Sequence, residues 1–160
     1  MANGLEIITL KQRVFSDIVQ QDSIIRLVDD RFLGKGDELI NQNFFQFFRV
    51  PDTEEETKTY ICCEINVPNL NFKNDTLREV VINIWAISHQ DILTTPRGTR
   101  IDLLECEIKK LFNDNETMGI GKVTLLSNTE DSLDFKHRFR RIQFSVKDLN
   151  RSLCDPISIS

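Results

Sequence analysis

The chain has 160 residues, of which 40% are hydrophobic and 28% are charged, and its formal net charge is −5. This length and balance are typical of one globular domain that buries about 70% of its unfolded surface without help from a metal or a disulfide. The acidic balance argues against a protein that binds nucleic acid over its whole surface, although it leaves room for a local basic patch. Eleven Phe residues against one Trp and one Tyr favour packing over recognition.

Export, membrane and metal signals are missing from the sequence. The first ten residues lack a basic segment followed by an apolar run, and no stretch of 18 apolar residues occurs, so we expect no signal peptide and no membrane association. The four cysteines lack paired C-x-x-C spacing, which predicts reduced thiols with no disulfide, no metal and no cofactor. They are Cys62, Cys63, Cys106 and Cys154.

The first part of the chain predicts two helices. Residues 4–20 place apolar side chains at helical spacing with a broad apolar face. Residues 24–28 predict a second, short helix that Asp22 would cap. Gly34 and Gly36 then break the helical pattern.

A phenylalanine-rich segment and an acidic loop follow at residues 39–57. The spacing of the four Phe rings fits neither a helix nor a strand, so the segment either covers the core or presents an apolar patch to a partner. The acidic run after Pro51 is typical of a solvated loop. We predict that side chains from both parts contact neighbouring subunits or other proteins: Phe44, Phe45, Phe47, Phe48, Glu54, Glu55 and Glu56.

The rest of the chain alternates strands with one helix. Residues 58–67, 78–88, 119–127 and 137–147 predict strands, the first and last by alternation, and Asn128–Asp134 predicts a polar turn before the last of them. The strand over 78–88 is apolar on both faces, which indicates a central position in a sheet.

Residues 97–112 predict one amphipathic helix. Thr99 is a suitable N-cap, and the apolar stripe contains Ile101, Leu104 and Ile108, continued by Leu111/Phe112. The charged side chains, Glu105 among them, lie mostly off that stripe, so the helix can lie flat on one face of a sheet.

The predicted fold class is α+β. We expect a mixed, mostly antiparallel sheet of about four strands, with an N-terminal helix and one long amphipathic helix packed on the sheet. Residues 1–150 would form this single domain. Residues 151–160 would form a C-terminal tail that contacts neighbouring subunits.

Catalytic signatures are absent, so we predict that the chain is not an enzyme. The segment Ser88-His89-Gln90-Asp91 cannot form a triad, because its side chains point in different directions. The one local charge concentration is basic and includes Arg138, Arg140 and Arg141. These arginines either form salt bridges along a strand or meet an acidic partner, such as Glu54, Glu55 or Glu56 of another subunit, or nucleic acid.

The order of elements resembles that of the tail terminator (tail-completion) proteins of tailed bacteriophages. The segments that carry the likeness are Val80–Ser88, Arg100–Phe112, Arg140–Val146 and the two predicted N-terminal helices, Leu5–Val28. The resemblance implies a virion structural protein, assembled in the host cytoplasm. Such proteins form a ring, commonly of six subunits, that caps the tail tube and joins it to the head-side neck.

The resemblance also implies partners for the chain. These are further copies of itself, the tail tube protein, and neck, head-completion or sheath proteins, and DNA would pass through the channel without specific binding. An acidic lumen would suit that passage, because like charges repel. Three alternatives stay open: another neck or head-completion connector protein, a small-molecule-binding or enzymatic α+β domain, and a nucleic-acid-binding accessory protein that uses the basic residues 136–141.

Overall fold

The computed structural model describes residues 4–53, 56–67, 77–118 and 120–149. Its three α-helices are α1 (Gly4–Val19), α2 (Asp22–Val28) and α3 (Arg100–Phe112). Its strands are β1 (Phe44–Phe45), β2 (Thr59–Asn66), β3 (Leu77–His89), β4 (Thr94–Thr95), β5 (Gly98–Thr99), β6 (Ile120–Ser132) and β7 (His137–Leu149). The predicted tail lies outside these ranges.

The main sheet has five strands in the order β1-β2-β3-β7-β6. The β1–β2 pair is parallel and the other three pairs are antiparallel, which confirms the prediction of an α+β fold with a mixed, mostly antiparallel sheet. The fifth strand, β1, was not predicted, because two residues are too few to show a period. A second, two-stranded sheet of β4 and β5 leads into α3.

Strand β3 is central, as the two-sided apolar pattern predicts. It pairs with β2 from Thr59↔Ser88 to Asn66↔Val81 and with β7 over its whole length, from Leu77↔Leu149 to His89↔His137. Alternate side chains of the strand point to opposite faces of the sheet. We call the face that the helices cover the inner face and the other the outer face.

The main core lies between the helices and the inner face. Four side chains of α3 are completely buried there, as the predicted stripe requires: Ile101, Leu104, Ile108 and Phe112. The ring of Phe112 lies 5.8 Å from that of Phe144 on β7. Thr99 caps α3 by accepting a hydrogen bond from the Asp102 N–H at 3.4 Å, and this confirms the predicted N-cap.

Three local predictions are wrong. The polar turn expected at Asn128–Asp134 is mostly strand, because β6 continues to Ser132, where its acidic side chains face arginines on β7. Glu105, expected off the stripe, is buried and lies 3.1 Å from the Lys109 ammonium. Asp22 is the first residue of α2, whose N-cap position is Gln21.

The helix on the sheet can be tested with Leu104→Ala. We expect this change to lower the free energy of unfolding by about 2–5 kcal/mol, because it leaves a cavity under a fully buried side chain. Urea denaturation measures it. The matched control is Cys106→Ala on the exposed side of the same helix, which should stay within about 0.5 kcal/mol of the parent. Equal small effects in both variants would contradict the packing.

Candidate contact surface

One end of the outer face carries a second, smaller core. Its buried members are Phe45, Tyr60, Cys62 and Ile87, and we call this group the outer cluster. Four half-buried side chains pack at its margin: Phe48, Trp85, Leu133 and Phe139. The outer cluster lies next to two connections, residues 46–53 after β1 and the turn 133–136 between β6 and β7.

The four predicted contact phenylalanines divide between core and surface. Phe44 is buried in the inner core, and Phe45 is buried in the outer cluster with the Arg49 guanidinium 4.7 Å from its ring centroid. Phe48 is half-buried, with its ring 5.1 Å from that of Trp85. Phe47 alone of the four is mainly exposed, at 54%. The segment therefore covers the core, as one interpretation held, and also presents one ring to solvent.

The acidic loop is only partly described, because Glu54 and Glu55 lie outside the described residues. The Glu56 carboxylate is engaged within the chain. Contact with the Tyr60 hydroxyl and a hydrogen bond from the Asp52 N–H hold the pKa of Glu56 below its ordinary value, despite partial burial. Burial first, and then the same carboxylate, raise the pKa of Tyr60.

Two of the three predicted arginines form salt bridges within the chain. Arg138 binds Glu130 at 3.3 Å and donates to the Ser132 hydroxyl at 2.9 Å. Arg140 donates to Asp102 on α3 at 2.9 Å from Nε and at 2.5 Å from its terminal nitrogen. These contacts match the salt-bridge interpretation of the basic cluster, and they leave neither arginine in need of a carboxylate from another subunit.

Arg141 points to the opposite face from its two neighbours. Its guanidinium lies over Trp85, 5.6 Å from the ring centroid, and donates to the Asn83 amide oxygen at 3.3 Å. Its Nε is enclosed and has no acceptor among the described residues. No described carboxylate lies within ion-pair distance of it, so this is a cation held mainly by a ring and an amide.

A groove of about 420 Å³ opens beside Arg141 on the half of the outer face that residues 46–53 leave uncovered. Besides the guanidinium, three amides and three aliphatic side chains line it: Asn66, Asn83, Gln143, Val67, Val81 and Leu126. Leu126 is 51% exposed and lies at an irregularity in the β6–β7 register. Strand alternation in the sequence already places Arg141 on the opposite face from Arg138 and Arg140. Sequence reasoning missed the groove itself, because its lining comes from separate strands.

The two histidines of the chain face each other across β3 and β7. Their rings lie edge to face, 5.0 Å apart, and both are buried. His137 Nδ1 lies 3.0 Å from the Asp134 carboxylate, which also accepts from the Lys136 and His137 N–H groups. Although burial opposes it, these hydrogen bonds lower the pKa of Asp134. The geometry fixes the turn between β6 and β7.

The structure offers no cluster of metal ligands within the described ranges, where no three His, Cys, Asp or Glu side chains could hold an ion together. Cys62, Cys63 and Cys106 are free thiols, and Cys154 is outside the described residues. Burial raises the pKa of Cys62 to about 11 and that of Cys63 to about 12. In the same part of the chain, no helix is both long and apolar enough to cross a membrane.

The ion pair between Arg140 and Asp102 should make the stability of the fold depend on pH. Burial favours the neutral form of Asp102, but hydrogen bonds with Thr99 and Arg140 outweigh it and hold its pKa below the ordinary 3.8. The stability from this pair is therefore present above about pH 4 and is lost as the pH falls through the lowered value. We expect Asp102→Asn to lower the melting temperature at pH 7 and to have less effect at pH 3. Thermal melts from pH 2.5 to 7 measure this.

The exposed Asp37→Asn serves as the control for that series and should leave the melting curve unchanged. An Asp102→Asn variant whose deficit is the same at pH 3 as at pH 7 would contradict the assignment.

Thiol accessibility tests the two faces of β2. We expect Cys106 to react with an aromatic disulfide reagent in the folded protein at pH 8. Cys62 and Cys63 should react at least about a hundredfold more slowly, because they are buried and stay protonated. A Cys154→Ser background keeps the count to three thiols. Rapid reaction of all three without denaturant would show that the outer cluster is not closed.

Comparison with known proteins gives one family. Residues 16–146, most of the described fold, match the model of the YomW family. No curated protein matches the chain significantly. The matched range runs from α1 to the last core residue of β7, so it includes the outer cluster and the groove. The chain thus belongs to the phage-derived YomW family.

Proposed function

We propose that this phage protein is a virion structural component, a tail terminator that caps the tail tube and joins it to the head-side neck as a ring. Two findings support the proposal. The family is phage-derived and its model covers residues 16–146. The order of helix, strands, helix and closing strands resembles that of tail terminators, and its long elements are β3, α3 and β7.

The observation that carries the proposal is a set of exposed apolar side chains beside the outer cluster. Phe47 and Val50 are 54% and 56% exposed on the segment 46–53, and Phe135 is 93% exposed in the turn 133–136. The outer cluster contacts both connections, since Phe48 and Leu133 pack against it. Large apolar groups that share one region of a surface are typical of protein–protein contacts.

A ring also needs a second, different surface on each subunit, because head-to-tail contacts join unlike patches. The helical side supplies candidates. Ile8 on α1 is 52% exposed, and Leu33, which follows α2, is 99% exposed. These side chains belong to the layer on the other side of the sheet from Phe47. Apolar contacts on two sides of one subunit suit a closed ring better than a two-fold dimer.

The proposed ring would bind the tail tube protein on one side and neck, head-completion or sheath proteins on the other. DNA would pass through it without specific binding, which a subunit charge of −5 favours. Another connector of the neck would use the same surfaces, so the position of the protein in the particle decides between these two functions.

Variants in the phage genome test the contact surface. We expect Phe135→Ser and Phe47→Ser to fold normally, because both rings are exposed, and to weaken assembly at least about tenfold, as loss of a buried Phe contact costs about 1.5–3 kcal/mol. The readouts are the titre and the amount of the protein in purified particles. Phe135→Tyr and Phe47→Tyr keep the ring and should assemble like the parent.

Normal titre and normal incorporation in both Ser variants would reject this surface. The tail function would be rejected if phage that lacks this protein still makes complete tails and either shows a defect in its heads or the protein has an activity in solution.

A further inference from the structure

The Arg141 guanidinium borders the groove with an unpaired Nε and without a described carboxylate within ion-pair distance. A partly buried guanidinium without a carboxylate is costly, and its planar donors fit a carboxylate with two hydrogen bonds. The Asn83 amide is a weak substitute for a carboxylate, because it is neutral and its Oδ1 accepts from Gln143 Nε2 at 2.7 Å as well as from Arg141. The groove therefore presents unmatched donors from one cation.

The rest of the lining indicates a protein segment rather than nucleic acid. A phosphate backbone needs several cations in a row, whereas this groove has one. Glu64 and Glu79 lie on the same face of the sheet, opposite Asn83 and Lys147 in the register, and they oppose a run of phosphates more strongly than a single carboxylate. The exposed Leu126 offers apolar contact. The fitting occupant is one carboxylate with aliphatic neighbours.

The chain itself has such a segment after β7. Residues 150–160 read NRSLCDPISIS and contain a single carboxylate side chain, Asp155, with Leu153 two residues before it and Ile157 two residues after. In an extended segment these three side chains point the same way. Pro156 favours an extended backbone at Asp155. The sequence thus matches the groove in charge and in apolar pattern.

The distance that residues 150–160 can span indicates whether they bind the groove of their own chain or that of a neighbouring chain. Arg141 precedes Leu149, the last described residue of β7, by eight residues, or about 26 Å along the strand. Asp155 follows Leu149 by six residues, which span about 20 Å when fully extended, and the segment would also have to reverse its direction. The pairing is therefore easier between two copies than within one.

From the open groove, the unmatched guanidinium and this reach, we propose that residues 150–160 of a second copy lie in the Arg141 groove, with Asp155 paired to Arg141. Such a contact joins a tail to an unlike surface, so it repeats around a ring. It deepens the proposed function by naming one subunit contact. The test of this contact is made in solution and does not depend on where the protein lies in the particle. The subunit contact and the proposed tail function can therefore fail separately.

The test is a titration of the full-length protein with a fluorescein-labelled synthetic peptide of residues 150–160. Anisotropy of the peptide reports binding, and emission of Trp85, the only Trp in the chain, reports occupation of the groove. We expect saturable binding that weakens with added salt. The peptide with Asp155→Asn and the protein with Arg141→Gln should each bind at least tenfold more weakly. Arg31→Gln removes the same charge on the helical side and should bind like the parent.

Thermal melts check that Arg141→Gln is folded, and charge reversal provides a second readout. Full-length Arg141→Glu and Asp155→Arg should each associate more weakly than the parent in light scattering, while an equal mixture of the two should recover. The proposal is overturned if the parent does not bind the peptide, if Asp155→Asn or Arg141→Gln leaves the affinity unchanged, or if the mixture fails to recover.

Discussion

The pairing of β3 on both of its edges is the constraint on which the rest of the structure depends. Thirteen residues of this strand bond to β7 along their whole length and to β2 along most of it, and apolar side chains leave on both faces. Each face must therefore be covered. The three helices pack on the inner face and form the main core with it, with α3 packed along β3 and β7. Among the described residues, those that cover the outer face lie at one end of it, in the outer cluster and the connections that border it. The half left open has the groove.

The alternation of side chains along β7 between the two faces of the sheet decides which partners each arginine meets. Arg138 and Arg140 lie on the inner-face side, where Glu130 and Asp102 are within reach, and both form salt bridges. These bridges join β6 and α3 to β7. Arg141, one residue later, faces the outer side and meets a Trp ring and an amide instead. One basic cluster in the sequence therefore has two physical roles. Two of its members stabilise the domain, and the third is the cation that lines the groove on the outer face.

Periodicity predicted the parts of the fold that are long and regular. The two-sided apolar run around Trp85 and the stripe through Leu104 identified β3 and α3, and the sheet class followed from them. The predictions that failed, and the features that were not predicted, depend on contacts between residues that are far apart in the sequence. Strand β6 contains acidic residues that look like a turn until Arg138 and Arg140 are placed across from them. Gly36 reads as a helix breaker, yet a Cβ there would lie 1.8 Å from the Val19 carbonyl oxygen, so close packing requires it. The groove depends on which side chains four strands bring together.

The central claim is that this phage-derived fold works through contacts between protein chains at the head-side end of a tail. Electron cryo-microscopy of the purified particles tests it most directly. The account predicts a ring of copies, six in the expected symmetry, between tail tube and neck, with Phe47 and Phe135 at protein contacts and the Arg141 groove occupied by the next subunit. Particles with complete tails that lack the protein, or copies of it elsewhere in the virion, would contradict the account.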